Sequence, residues 1–176
     1  MIAVIMGVTG SGKTTIGTLL ASREGWEYAE GDDYHSKENV ARMHAGIPLT
    51  DADRAPWLRT LHRVLLGWYN SGKGGVLACS ALKQTYRELL QGSIPASDLR
   101  FVLLEVPKDV LAERMKHRAG HFMNPSLLDS QLATLEIPSD ALRVSAVQPP
   151  EDAVEEIVNE LKDSKKEGYR QSKTHR

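Results

Sequence analysis

Residues 7–14 read Gly-Val-Thr-Gly-Ser-Gly-Lys-Thr, which matches the pattern G-x-x-x-x-G-K-[ST]. The apolar run Ile2–Met6 precedes this stretch, and Ile16, Leu19 and Leu20 follow it at helical spacing. Strand, glycine-rich loop and helix in this order are the context that a phosphate-binding loop requires. The loop's backbone N–H groups turn toward one anion, and the helix N-terminus adds positive potential there. The stretch therefore predicts that the chain binds a nucleoside triphosphate.

Two side chains of this loop carry its chemistry. Lys13 is predicted to reach the β- and γ-phosphates, and the Thr14 hydroxyl is predicted to ligate Mg²⁺. ATP and Mg²⁺ are accordingly the expected cofactors. The predicted nucleotide-binding residues of the loop are Gly7, Thr9, Gly10, Ser11, Gly12, Lys13, Thr14 and Thr15.

Composition and charge narrow the class of protein. The 176 residues are 41% hydrophobic and 26% charged, as expected of one globular domain with a sizeable core. The net charge of −1 gives no field that favours nucleic acid or a membrane surface. A single cysteine, Cys79, permits no internal disulfide and fits a reducing compartment. No apolar run approaches the ~20 residues of a membrane span, and the first strand leaves no room for a signal peptide. We therefore expect a soluble, cytoplasmic protein.

Apolar runs alternate along the chain with segments of helical spacing, which predicts a parallel sheet covered by helices on both faces. One helical pattern runs from Trp57 to Trp68, with both tryptophans interpreted as core; others follow Pro107 and Pro150. The expected fold class is α/β, a P-loop nucleotide kinase-like fold with a five-stranded parallel sheet and a small lid. The predicted strands are Ile2–Met6, Glu27–Gly31, Gly75–Ser80, Phe101–Val106 and Leu142–Val147.

The chain is expected to hold one kinase domain over residues 1–162, with the lid at about residues 114–126. Residues 163–176 are polar and rich in lysine and arginine, and we expect them to form a mobile tail. Ligands of such sheets bind beyond the carboxyl ends of the strands. Polar motifs that follow the strands should therefore converge on one site.

An acidic stretch follows the second predicted strand. Asp32 is the candidate to orient an attacking hydroxyl and accept its proton beside the γ-phosphate. Glu30 lies two residues earlier on the same side of an extended chain, and it is a candidate to hold Mg²⁺ through water. The alternative interpretation is an acidic turn whose carboxylates are solvated.

Basic residues follow the third strand and begin the tryptophan helix. Ser80 is a candidate cap for a helix on which Lys83 and Arg87 would share one face, and two such cations suit an anionic substrate. A solvated helix face is the alternative. Thr50 or Asp51 can cap the tryptophan helix, whereas Arg54 in its first turn is disfavoured by the helix dipole. That local cost indicates a ligand role for Arg54.

A further basic segment lies ahead of a glycine near a helix end. Arg114 and Arg118 are one turn apart there, which suits a closing lid whose arginines stabilise the transferring phosphoryl group. The alternative is that they complement the negative end of the helix. His121 follows the glycine and is within reach of the acceptor, although a lone histidine is more often structural.

Together these segments resemble the gluconokinases, the ATP-dependent gluconate kinases of the shikimate kinase-like P-loop group. The resemblance spans about residues 2–162, and the combination of its third, fourth and fifth motifs is specific to that family. The matching motifs are MGVTGSGKTT, GDDYH, GIPLTDADRAPWL, LACSALKQTYRELL, ERMKHRAGHFM and LLDSQLATLE.

The resemblance implies phosphorylation of D-gluconate on its 6-hydroxyl, and a homodimer by family analogy. It implies that Asp32 is the acceptor-side carboxylate, that Arg114 and Arg118 are lid residues, and that residues 147–150 flank the adenine. Lys13, Asp32 and Arg118 are thereby the expected catalytic residues, and Thr14 and Glu30 the metal-binding ones. The substrate-binding residues it implies are Asp32, His35, Arg54, Lys83, Arg87, His121 and Gln131.

One position departs from the family pattern. Some members have aspartate where this chain has Glu30, and glutamate is longer by one methylene, which leaves the Mg²⁺ contact open. Two other functions are considered. A kinase for shikimate or another sugar acid would share the fold, but CSALK stands where shikimate kinases carry three glycines. An ATP sensor would need only the phosphate loop, and the acceptor-side residues argue against it.

Overall fold

The computed structural model describes residues 1–116 and 125–174, with side chains over 1–116 and 127–163. Five parallel strands form one sheet within this part of the chain, in the order β2-β3-β1-β4-β5. The predicted α/β class and sheet are confirmed, and most strands end one or two residues earlier than predicted. The strands are β1 (Ile2–Met6), β2 (Glu27–Glu30), β3 (Gly75–Ala78), β4 (Leu99–Glu105) and β5 (Leu142–Ser145).

Helices connect these strands. A short 3₁₀ helix, Gly31–Tyr34, follows β2 directly. The longest helix ahead of the C-terminus begins at a capping box: the Thr50 hydroxyl accepts from the Asp53 N–H at 3.2 Å, and the Asp53 carboxylate accepts from the Thr50 N–H at 2.7 Å. The helices are α1 (Lys13–Glu24), α2 (Lys37–His44), α3 (Asp51–Asn70), α4 (Gln84–Gln91), α5 (Lys108–Lys116), α6 (Pro125–Thr134) and α7 (Pro150–Thr174).

The sheet separates two hydrophobic cores, because alternate residues of each strand point to opposite faces. Val4 packs in the core that α3 and α4 cover, together with Leu61 of α3. Ile5 packs in the core that α1 and α7 cover, together with Leu20 and Ile157. Trp57 belongs to the first core and Trp68 packs against it, as the sequence indicated. The strand order reverses at β1, so the carboxyl end of β1 is the place where a ligand cleft is expected.

The C-terminal helix extends into the segment that the composition predicted to be a mobile tail. The backbone of α7 is helical to Thr174. Lysine, arginine, glutamate and glutamine have high helix propensity, and these residue types make up half of the segment. In the described part of the chain no helix is long and apolar enough to cross a membrane.

Candidate active site

The phosphate-binding loop joins β1 to α1 through backbone conformations that glycine permits. Gly7 and Gly12 have φ angles of 144° and 99°, and a Cβ on Gly7 would lie 2.9 Å from the Ser11 Oγ. Gly12 is the N-cap of α1, whose first turn carries no acidic side chain. The positive end of the α1 dipole is therefore left for an external anion. Lys13 lies beside the loop and donates from Nζ to the Val8 carbonyl at 3.0 Å.

Thr14 and Glu30, the two predicted metal-binding residues, meet at the end of β2. The Thr14 hydroxyl donates to Glu30 Oε2 at 2.8 Å, in a partly exposed position beside the phosphate-binding loop. Hydroxyl and carboxylate oxygens are hard donors of the kind that Mg²⁺ takes. Over residues 1–116 and 127–163 no three His, Cys, Asp or Glu side chains gather as a metal site. A site with few protein ligands fits Mg²⁺, which shares its shell with substrate phosphates and water in kinases.

Asp32 lies on the 3₁₀ helix directly after β2, with an exposed side chain. The Asp32 charge affects the pKa of the Cys79 thiol, which directly follows β3. Burial raises the pKa of Cys79 to about 12; the charges of Asp32 and Glu30 add to this rise, and that of Lys13 opposes it. All three charged groups are therefore near enough to influence the Cys79 thiol. The high pKa leaves Cys79 as a packed, protonated side chain.

Two of the predicted substrate-binding cations flank Tyr86. Lys83 Nζ lies 5.5 Å and the Arg54 guanidinium carbon 5.9 Å from the centroid of the Tyr86 ring. Asp51, at the start of α3, accepts two bonds from Lys83 at 2.8 and 2.9 Å and a short bond from the Tyr86 hydroxyl. These bonds lower the pKa of Asp51 below its usual range, Lys83 contributing most. Arg54 also donates to the Leu49 carbonyl at 2.6 Å.

The prediction that Lys83 and Arg87 share a helix face capped by Ser80 is wrong. The helix α4 begins at Gln84, so Lys83 is its N-cap residue and lies outside the helix. The N–H of Gln84 donates to the Glu136 carboxylate at 2.6 Å, so a distant side chain supplies the cap.

Arg87 lies in the interior, not on the acceptor surface. Its side chain is only 6% exposed, and the guanidinium donates to the carbonyls of Ala81 at 3.0 Å and Leu82 at 3.2 Å. Ala81 has a φ of 45°, which is uncommon for a residue other than glycine. The position of Arg87 therefore supports the strained loop that leads to Lys83.

His35 lies between the catalytic carboxylate candidate and the first core. Its ring stacks on Trp57 with centroids 4.2 Å apart, and the Trp57 indole donates to the Gly31 carbonyl at 2.7 Å. Burial lowers the pKa of His35, the Asp32 charge opposes this, and the Arg54 charge adds to it. The neutral imidazole is thus held close to both Asp32 and Arg54.

The other candidates lie on the nucleotide side or outside the described residues. The Gln131 side-chain oxygen accepts from the Thr9 N–H at 2.6 Å, which ties α6 to the phosphate-binding loop. Arg114 donates to the carbonyls of Ala146 at 2.6 Å and Gly10 at 3.4 Å. Arg118 and His121, and most of the predicted lid, fall among residues 117–124, which lie outside the described residues.

A cleft of about 250 Å³ opens beside the phosphate-binding loop at the N-terminus of α1. Arg114 forms one wall of it, and the segment after β5 forms another. The lining residues are Gly10, Ser11, Gly12, Thr15, Ile16, Arg114, Ala146, Gln148 and Pro150.

A family model described as shikimate kinase matches residues 9–175. With the phosphate-binding loop and the five-stranded parallel sheet, this match assigns the chain to the P-loop kinases that phosphorylate an alcohol group. Within this class the chain belongs to the gluconokinase family.

Relatives and a solved structure support this assignment over most of the chain. The chain is 50% identical to a gluconokinase of Gluconobacter oxydans over 159 residues, which is 88% of both proteins. It is 43% identical to a probable gluconokinase of Dictyostelium discoideum, over 92% of this chain and 86% of that one. The crystal structure of a gluconokinase from Sinorhizobium meliloti superposes with a TM-score of 0.86 at 44% identity, covering 97% of this chain and 96% of that one.

Sequence reasoning missed three side chains that contact the predicted site residues in the structure. Asp51 was considered only as a helix cap, whereas it pairs with Lys83. Tyr86 was not singled out, although Lys83 and Arg54 both lie over its ring. Tyr28 donates to Glu30 at 2.8 Å, and the signal for this contact was the Tyr-x-Glu spacing on β2, which puts both side chains on one face.

Proposed function

We propose that this chain is a gluconokinase that transfers the γ-phosphoryl group of ATP to the 6-hydroxyl of D-gluconate, giving 6-phosphogluconate and ADP. The observation that carries the proposal is the pair of cations, Lys83 and Arg54, placed around Tyr86 on the acceptor side. A linear sugar acid needs a cation for its carboxylate. The relatives named above, half-identical in one case, carry the gluconokinase name.

ATP would lie with its phosphates on the loop of residues 7–14 and its base toward the cleft that Arg114 and Gln148 line. The N–H groups at the start of α1 and the Lys13 ammonium would hold the β- and γ-phosphates. Arg118 would add a cation to the transferring group from the lid, which we place at about residues 114–126. This arrangement would neutralise charge on both sides of the phosphoryl group.

Asp32 would act on the acceptor hydroxyl. Its carboxylate follows β2, within the same group of charges as Lys13 and Glu30. There it would accept the proton of the 6-hydroxyl as the oxygen attacks phosphorus in line with the departing ADP. Transfer of this kind depends on positioning and on charge stabilisation, to which Asp32 would contribute from the 3₁₀ helix after β2 and Lys13 from the start of α1.

Thr14 and Glu30 would hold Mg²⁺, since their oxygens are hard donors that already lie 2.8 Å apart. When bound, Mg²⁺ would supply positive charge that offsets the negative charge of the nucleotide phosphates. The longer Glu30 side chain would take part from the end of β2, while the Thr14 hydroxyl would contribute from the first turn of α1. The protein's part is thus to present two oxygens at the edge of the phosphate-binding loop.

On the acceptor side, Lys83 and Arg54 would bind the carboxylate of gluconate. His35 would offer a neutral imidazole nitrogen to a sugar hydroxyl, and His121 would complete the polar lining. Gln131 would act through the phosphate-binding loop instead, since its side-chain oxygen accepts from the Thr9 N–H. Arg87 would act through the loop it supports, since its guanidinium is committed to the carbonyls of residues 81 and 82. Cations at one end of the site and neutral polar groups along the rest match a ligand with one charged end and a chain of hydroxyls.

We further propose a homodimer by family analogy, to be checked by light scattering on the eluted protein. We place the enzyme in the cytoplasm, where ATP is supplied.

One experiment tests the proposed function: ADP release is measured with Mg-ATP and, in turn, gluconate, shikimate, glycerate and related sugar acids. Stimulation by gluconate alone is the expected result. Stimulation by another acid would keep the kinase activity and change the acceptor assigned to it. ATP binding with no stimulation would indicate a nucleotide sensor.

A further inference from the structure

One hydroxyl of β2 is directed at the candidate metal site. Tyr28 Oη donates to Glu30 Oε2 at 2.8 Å, and the same oxygen accepts from the Thr14 hydroxyl at 2.8 Å. Tyr28 and Glu30 are two residues apart on a strand and therefore point to the same face. A single carboxylate oxygen of Glu30 is thus fixed between two hydroxyls, one from the sheet and one from α1.

The ring of Tyr28 is held in place by packing. It lies against Gly17 in the middle of α1, where a Cβ would come within 3.0 Å of Tyr28 Cε2 and 3.6 Å of Val76 Cγ1. Glycine inside a helix costs stability relative to alanine, so the chain accepts that cost where the ring needs room. The ring also packs against the core under α1 and α7. Its hydroxyl therefore has little freedom to leave Glu30.

This contact addresses the length of Glu30. A glutamate has one more rotatable bond than an aspartate, so its carboxylate is less confined at the end of a short strand. A hydrogen bond from a packed tyrosine removes that freedom and directs the carboxylate toward Thr14. The phenol hydroxyl of tyrosine carries its own proton, so Tyr28 can donate to the Glu30 carboxylate, at 2.8 Å.

We infer that Tyr28 is a positioning residue for the metal: its hydroxyl holds Glu30 against Thr14, so that the longer carboxylate is presented where Mg²⁺ binds with the nucleotide. The inference rests on the proposed function for the identity of the metal and nucleotide. The part of the inference that does not depend on the acceptor is that Tyr28 controls how much Mg²⁺ strengthens nucleotide binding, without contacting nucleotide or acceptor.

The test is calorimetric titration of ADP into the full-length protein, with Mg²⁺ and with a chelator. We expect Mg²⁺ to tighten ADP binding in the wild type. In Tyr28→Phe this gain should shrink by at least about fivefold, because a hydrogen bond to a charged group is lost. ADP binding without Mg²⁺ should stay within about twofold of the wild type. Tyr69→Phe, on the exposed end of α3, is the matched control and should change neither value.

A second variant separates positioning from packing. In a Glu30→Gln background, Tyr28→Phe should cause no further loss of the Mg²⁺ gain, because the carboxylate it positions is already gone. An unchanged gain in Tyr28→Phe, or an equal loss of ADP binding with and without Mg²⁺, would overturn the inference. The readout needs no acceptor, so it stays valid if gluconate proves to be the wrong substrate.

Discussion

Lys83 Nζ lies 2.8 and 2.9 Å from the two carboxylate oxygens of Asp51, where the N-termini of α3 and α4 meet. Lys83 is also the cation that we assign to the carboxylate of the substrate. The Asp51 carboxylate therefore already pairs with the Lys83 ammonium group that the substrate carboxylate would need. Binding of the sugar acid would exchange one carboxylate for another, or add a second one to the same ammonium.

The first prediction concerns this exchange. Asp51→Asn removes a negative charge beside Lys83 and Arg54 and keeps the side chain's size. We expect the KM for gluconate to fall about two- to fivefold, since repulsion of the substrate carboxylate is relieved in a solvent-exposed site. The KM for ATP should not change. Steady-state kinetics with each substrate varied in turn makes the measurement.

Asp98→Asn, at the opposite end of the sheet before β4, is the control for a change of net charge alone. A rise in the gluconate KM of Asp51→Asn would contradict the prediction. It would mean that Asp51 is needed to orient Lys83 and does not compete for it.

The second prediction separates two neighbouring carboxylates. Asp32→Asn should reduce kcat by at least about 100-fold, because the amide cannot accept the proton of the attacking hydroxyl. Asp33→Asn alters the next residue of the same 3₁₀ helix, which is also exposed, and should keep kcat within about threefold. Unfolding curves would confirm that both variants fold. Near-normal turnover in Asp32→Asn would remove Asp32 from catalysis.

The third prediction concerns the loop behind Lys83. Arg87→Met removes the guanidinium that satisfies the carbonyls of Ala81 and Leu82. We expect the free energy of unfolding to fall by about 2 kcal/mol, since two buried acceptors lose a charged donor. The KM for gluconate should also rise more than the KM for ATP, because the loop carries Lys83.

Urea unfolding and kinetics on the same preparations would measure both effects. Arg63→Met, an exposed position on α3, is the matched control and should leave both quantities unchanged. Equal increases in the two KM values would show that the loop does not belong to the acceptor side.

The fourth prediction is a dependence of stability on pH. Burial against Trp57 lowers the pKa of His35 from its ordinary value of 6.5, so the unfolded chain binds a proton that the folded chain resists. The contribution of the neutral ring is complete above pH 6.5 and is lost as the pH falls through the lower, folded pKa. The loss of stability between about pH 7.5 and 5.5 should be smaller in His35→Gln than in the wild type.

Urea midpoints at both pH values would measure the difference. His44→Gln, on the exposed end of α2, should behave like the wild type. If His35→Gln keeps the full pH dependence, other groups are responsible for it.

Local features of the site were predictable from the sequence, because short-range geometry decides them. The glycines within residues 7–14 permit the positive φ angles that the phosphate-binding loop needs. Asp32 follows a strand, and the carboxyl ends of the strands lie where the cleft is expected. Thr50 and Asp53 form a capping box three residues apart, and Thr50 was one of two predicted caps. The meeting of Thr14 with Glu30 follows from the order strand, loop, helix and strand.

The features of the site that could not be predicted depend on contacts between residues that are far apart in the sequence. The start of α4 depends on Glu136, 52 residues away, and that shift moved Lys83 out of the helix. Gln131 reaches Thr9 across 122 residues. Arg87 carries a charge, which normally indicates an exposed position, and only the three-dimensional packing shows that two carbonyls hold it inside.

The two cores on opposite faces of the sheet have a consequence for how this enzyme family can diversify. The helices that position the acceptor residues, α3 and α4, rest on one core, and the helix that begins at the phosphate-binding loop, α1, rests on the other. The buried residues of the two cores do not overlap. The two halves meet where Val8 of the phosphate-binding loop and Leu82, next to Lys83, share a third buried cluster. Mutations in the core under α3 and α4 that spare this contact can therefore reshape the acceptor half while α1 keeps its own support, so a new acceptor can be acquired while the phosphate donor is kept.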